Sequence, residues 1–137
     1  MKKGQFQIIQ FDPDDFYITL LDLILDHWGI KHTGSAHNLH TSKELVKQIE
    51  TGHIKPNIAI IEAHMGKSEF DGQKIAERLR ELVPGIQIIG FSTYETKQWA
   101  DYEAIKTLKN SEASIIKTLS KLTGWEYEIS NAPDPSD

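Results

Sequence analysis

The sequence predicts an α/β domain, a five-stranded parallel sheet with helices on both faces. Three observations predict it. Strand-like and helix-like stretches alternate five times along the chain, the pattern that right-handed crossovers fold into a parallel sheet. Ile58-Ala59-Ile60-Ile61 is an unbroken apolar run between Pro56 and Glu62, as expected of a strand buried on both faces. Ile86-Gln87-Ile88-Ile89-Gly90-Phe91 repeats the theme after the turn residues Pro84 and Gly85.

Taken in order, Phe6-Gln7-Ile8-Ile9-Gln10-Phe11 reads as the first strand. A helix over about 14–27 follows, with Phe16, Leu20, Leu23, Ile24 and His27 on one face, and Gly29 stops it. Residues 30–36 form a weak second strand. Thr41 and Glu44 offer a capping box for a helix whose apolar face is Leu45, Val46 and Ile49. Gly52 and Pro56 bracket the turn into the third strand, which ends at Glu62. A polar loop over 63–70 leads to Asp71-Gly72, which opens a helix carrying Ile75, Ala76, Leu79, Leu82 and Val83. The fourth strand delivers Ser92 and Thr93 to its end. A short helix over 94–102, a fifth strand over 104–108 ending at Lys109, and a helix carrying Ile115, Ile116, Leu119 and Leu122 complete the alternation. The expected division is a domain over 1–122 and a tail over 123–137, partly disordered. In that tail Pro133 and Pro135 lie among Asn, Asp and Ser, while Trp125 and Tyr127 are candidates to pack back.

At 137 residues the chain is long enough for one domain with a proper core. A formal charge of -5 argues against nucleic-acid binding by the general surface. The absence of cysteine excludes disulfides, thiol nucleophiles and thiolate zinc sites. Neither a signal peptide nor a bilayer-length apolar stretch is read, so the expected location is cytoplasmic, away from membranes. His37 and His40 stand three apart in a loop without fixed geometry, a poor metal site. Trp28, Trp99 and Trp125 are too scattered to stack bases.

The strand ends carry the chemistry. In a flavodoxin-like sheet of order 2-1-3-4-5 the first and third strands are neighbours, so Asp12, Asp14 and Glu62 converge on the edge where ligands bind. Ser92 and Lys109 end the next two strands. Carboxylates suit Mg²⁺, and a hydroxyl with a lysine suits phosphoryl oxygens. Each residue also has a plain structural explanation. Asp12 with Pro13 suits an N-cap and first helical position, Asp71 an N-cap, Ser92 a turn, and Lys109 and Glu62 a solvated surface.

Four segments in this order, QIIQFDPDD, PNIAIIEAHMGKSEFDG, GIQIIGFST and AIKTLK, resemble the receiver domain of two-component response regulators over roughly residues 5–122. The resemblance implies a CheY-like fold. It implies that Glu62 stands at the phospho-acceptor position, and that Ser92 and Lys109 are the phosphoryl contacts. Lys109 is preferred to Lys106 because it sets the better distance to the last helix. Asp12, Asp14 and Glu62 would be the Mg²⁺ ligands.

The chain departs from the family pattern at several of these points. Glu62 replaces an aspartate, Pro13 takes the place of the second acid of the pair, and the loop after Glu62 is longer and lacks the usual proline. Asn110 rather than proline follows Lys109, and the stretch from Ser92 to Lys109 is short, which implies a shortened fourth helix. The expectation is a degenerate receiver, a pseudo-receiver without enzymatic activity of its own. Its Mg²⁺ affinity is weak or lost, and it acts through a protein partner, a sensor kinase or a downstream signalling protein. Glu62 would supply a fixed charge of about -1 where a phosphoryl group carries roughly -1.5 to -2, holding the site in one state with Lys109 as its partner. The alternative is a non-signalling, flavodoxin-like ligand-binding domain. The acidic loop after the first strand disfavours a flavin phosphate there.

Overall fold

The computed structural model describes residues 6–66, 71–107 and 109–125. Five strands, β1 (Gln7–Phe11), β2 (Lys31–Ala36), β3 (Ile58–Ile61), β4 (Gln87–Ser92) and β5 (Tyr102–Ile105), form one parallel sheet of order β2-β1-β3-β4-β5. Four helices connect and flank them: α1 (Asp15–Trp28), α2 (Leu39–Glu50), α3 (Gly72–Leu82) and α4 (Ser111–Thr123).

Alternate residues of the central strands feed two cores. Ile8, Ile58, Ile60, Ile89 and Phe91 pack with α1 and α4, while Ile9, Phe11, Ala59, Ile61 and Ile88 pack with α2 and α3. Both faces of β3 are thus buried, which is why its sequence is apolar without interruption. The strand ends after Ile61 because Glu62, the first polar side chain, has reached the sheet edge.

Several local expectations are corrected. The buried stripe of α1 is Leu21, Ile24, Leu25 and Trp28, whereas Phe16 and Leu23 stand in solvent. Both stripes have helical spacing, and the choice falls to the one that buries Trp28, the largest side chain. Asp14, not Asp12, caps α1: its carboxylate accepts from the Phe16 N–H at 2.9 Å. In α2 the capping box pairs Asn38 with Thr41, one helical turn earlier than expected. Asp71 occupies the N-cap position of α3 but makes no side-chain cap, and accepts instead from the Met65 N–H at 3.1 Å. It thereby fastens the segment that follows Glu62, of whose expected loop residues 67–70 lie outside the described set.

The largest difference lies between β4 and β5. The expected helix over 94–102 is absent, and residues 93–101 form bends and turns. Thr96 is buried, and Gly90 of β4 makes room for it, since a Cβ at Gly90 would overlap the Thr96 side chain. Glu103 accepts from both the Thr96 N–H and its hydroxyl, at 3.0 and 3.2 Å. Trp99 enters the α2/α3 core, and Arg80 of α3 donates to the Trp99 carbonyl at 2.6 Å and pairs with Asp101 at 3.2 Å. Packing and anchoring of the backbone thus take the place of the expected helix. In consequence β5 begins at Tyr102 and ends at Ile105, earlier than the 104–108 read from the sequence.

Past Thr123, Trp125, a residue expected as a candidate to pack back, lies edge-on to Phe6 with ring centroids 4.7 Å apart. Tyr127 and the rest of the expected tail lie outside the described residues. Among the described residues no helix is long and apolar enough to cross a membrane.

Candidate functional site

Asp12 follows β1 directly, and its N–H donates to the Ala36 carbonyl of β2 at 2.9 Å, so the backbone ladder runs on to the sheet edge. Its carboxylate is almost wholly buried. One oxygen accepts from the Asp14 N–H at 3.0 Å, and the other meets Lys106 Nζ at 2.5 Å. Glu62 extends β3 in the same way, its N–H donating to the Phe11 carbonyl at 2.9 Å. The Glu62 carboxylate turns back on its own chain and accepts from the Ala63 N–H at 2.8 Å, while its other oxygen lies 3.6 Å from Lys106 Nζ. Gly72 lets α3 start against this edge, because a Cβ there would strike the Glu62 carbonyl.

Lys106 is the centre of the site. Its N–H donates to the Ser92 carbonyl at 3.2 Å, continuing the β4–β5 ladder one residue past Ile105. The side chain, 5% exposed, runs inward beneath Tyr17, whose ring centroid is 4.3 Å from Nζ; that of Phe91 is 5.1 Å away. Tyr17 and Phe91 are themselves packed edge to face. An ammonium facing two carboxylates and two aromatic rings is satisfied by ion pairing and by the ring quadrupoles together. Burial is the largest influence on Asp12 and holds its carboxyl above the usual aspartate range; the charge and hydrogen bond of Lys106 pull the other way.

This placement corrects the expectation for Lys109. Lys109 is exposed in the turn before α4, where Asn110 donates to Thr107 and Thr107 to Ser111. The earlier end of β5 puts Lys106 at the edge and carries Lys109 beyond it. Ser92 lies buried at the end of β4 as expected, but its hydroxyl accepts from the Tyr94 N–H at 3.0 Å, as a turn residue does, and no hydrogen bond links it to Glu62. Asp14 is exposed, with its carboxylate committed to capping α1.

Two of the expected cation ligands, Asp12 and Glu62, therefore come together, but on an ammonium, and the third, Asp14, does not join them. Asp12 and Glu62 share Lys106, Asp14 points to its own helix, and Pro13 offers no carboxylate. Among the described residues no group of three His, Asp or Glu is placed to hold a metal ion. Mg²⁺ is commonly held by one or two carboxylates with water completing its octahedron, and here the Lys106 ammonium stands between the two carboxylates that could hold it. Tyr17, a neighbour of Lys106 that sequence reasoning missed, had one legible signal: it stands two residues after the acidic turn, in the first turn of α1.

The fold is that of the CheY-like receiver domains of response regulators. Among solved structures it is similar to Borrelia burgdorferi CheY in its complex with CheX, BeF3 and Mg²⁺, with a TM-score of 0.70 and 17% identity over 87% of this chain and 90% of that one. A CheY-like receiver domain from Methanospirillum hungatei gives 0.66 and 17%, covering 85% and 92% of the two chains. The response regulator TrrA of Thermotoga maritima, in complex with Mg²⁺ and BeF, gives 0.66 and 20%, covering 86% and 99%. No family model matches the sequence, and no curated protein matches it.

Proposed function

We propose that this chain is a signalling receiver of the two-component or phosphorelay type whose acidic edge is held in one state, and that it acts by binding a protein partner. The observation that carries the proposal is Lys106, buried between Asp12 and Glu62 and covered by Tyr17. A fixed glutamate stands at the phospho-acceptor position and a lysine already faces it. The charge pairing that a phosphoryl group would create is present in part without one.

The same geometry opposes phosphoryl transfer. An acceptor oxygen has to sit at near-attack distance beside a bound metal, and a misplacement of about 1 Å costs on the order of 10²-fold in rate. Here one Glu62 oxygen is bonded to the Ala63 N–H and the other faces an ammonium. Mg²⁺ binding is correspondingly weak. The Borrelia protein, seen with CheX, supports action through a protein surface.

Incubation with acetyl phosphate and Mg²⁺, followed by mass spectrometry, tests the proposal. No phosphate is expected on Glu62, and its appearance there would sink the fixed-state reading. A pull-down from the native cell with the wild-type and Glu62→Gln proteins tests the partner. Loss of a captured protein with Glu62→Gln is expected. Equal capture by both would leave the receiver fold intact but remove the role given to Glu62.

A further inference from the structure

An amide forms between an amine and a carboxyl when the two are held in contact, kept from water and served by a proton carrier. Lys106, Asp12 and Glu62 bring these conditions together. Lys106 Nζ lies 2.5 Å from Asp12 Oδ2, and the two side chains are 5% and 1% exposed. The Asp14 N–H donates to the other Asp12 oxygen at 3.0 Å, where it would stabilise charge developing on that atom. Glu62 Oε1 lies 3.6 Å from Nζ. The rings of Tyr17 and Phe91 close over the amine. Pro13 has no N–H, so the competing closure of Asp12 onto the next backbone nitrogen is blocked.

We propose that Lys106 and Asp12 condense slowly into an isopeptide bond, with Glu62 as the proton carrier. Freshly folded protein holds the ion pair, and the bond follows on prolonged incubation. A proton first passes from Nζ to Asp12 Oδ2, which leaves a neutral amine facing a carboxylic acid. Nζ then attacks Cγ. Glu62 takes the second proton from Nζ and delivers it to Oδ2, which departs as water. The Nζ–Cγ bond forms, the Cγ–Oδ2 bond breaks, and one amide proton remains. Held contact replaces an encounter in solution, and well-oriented reactions of this kind reach effective molarities on the order of 10⁵ M. Condensation also removes two opposite charges from a buried site, where each is costly to keep ionised. The bond needs only these three side chains and no signalling role.

Intact-mass measurement of the full chain, fresh and after prolonged warm incubation, tests this. The incubated protein is expected to lose the mass of one water. Trypsin should then release a linked species that joins residues 4–31 to residues 98–109, uncut at Lys106. Glu62→Gln keeps the side-chain shape and should slow the loss at least about 10²-fold. Asp12→Asn should lose ammonia in place of water, and Lys106→Arg should form no linked species. An unchanged mass overturns the proposal and leaves an ion pair, whatever the phosphate test of Glu62 returns. Water lost equally fast in Glu62→Gln overturns it as well. So does water lost only within the peptide that holds Asp71-Gly72, since that is the closure of an aspartate onto its own backbone.

Discussion

Replacing Lys106 by Met removes an ammonium from a buried pair while keeping most of the stem volume. At 2.5 Å and an effective dielectric of about 20, the attraction between Lys106 and Asp12 is on the order of 7 kcal/mol before any desolvation is counted. Desolvation costs several kcal/mol per ion, so the pair as a whole contributes little net stability. Removing one partner is different, because it strands the other charge, and losses of about 3–5 kcal/mol are expected for Lys106→Met and for Asp12→Asn alone. The double variant leaves only the partly exposed Glu62 without its lysine and should lose about as much as one single change rather than the sum of the two, a coupling energy of about 3 kcal/mol. In urea unfolding each single change should lower the midpoint by roughly 2 M at a slope of about 2 kcal/mol per M. The sign with pH is fixed as well. Burial already raises the Asp12 pKa, and without Lys106 it rises further. An acid with a raised folded pKa favours the fold below its unfolded pKa, and that contribution is lost as pH rises through the folded value. Lys106→Met should therefore be less damaging at acidic pH than at neutral pH. Additive effects within about 0.5 kcal/mol would show that the two groups do not act as a pair and would refute the reasoning.

His32 of β2 should make stability depend on pH. Its side chain is 6% exposed and its Nδ1 lies 3.3 Å from Asp22. Burial lowers its pKa below 6.5, against the pull of Asp22. Stability is then full above about 6.5 and falls as pH drops toward the depressed folded value. Urea midpoints measured across that interval should slope for the wild type and flatten at its upper end for His32→Gln. Gly90→Ala should destabilise the protein by about 1–3 kcal/mol through overpacking against Thr96. Thr96→Gly in the same chain should recover part of that loss in thermal unfolding, and no recovery would mean that the methyl group is accommodated elsewhere.

The sheet was legible because its signals are local and redundant. The runs at Ile58–Ile61 and Gln87–Ser92 suit strands buried on both faces, the alternation with helices makes the sheet parallel, and the acids after β1 and β3 mark its edge. What the sequence did not show depends on register. Lys106 and Lys109 both follow an apolar stretch, and only the pairing of Ser92 with Ile105 decides which of them reaches Asp12. The apolar stripes of α1 were ambiguous for a similar reason: Phe16 and Leu23 share a face as good by spacing as that of Leu21 and Trp28. Thr96 in the space above Gly90 is a contact between two elements, and no periodicity encodes it.

The missing helix between β4 and β5 bears on how the chain folds. Ile89 pairs with Tyr102 across 13 positions, whereas Ile8 pairs with Ile58 across 50. By loop-closure entropy the longer pairing costs about 1 kcal/mol more to bring together. Contacts of short sequence separation also speed folding, so β4, the compact connection and β5 are placed to form a seed on which the amino-terminal strands later condense. Ala104→Gly, within the seed, should then slow refolding. Ile8→Val, outside it, should mainly hasten unfolding, and chevron plots with those two effects reversed would move the seed to the other half of the sheet.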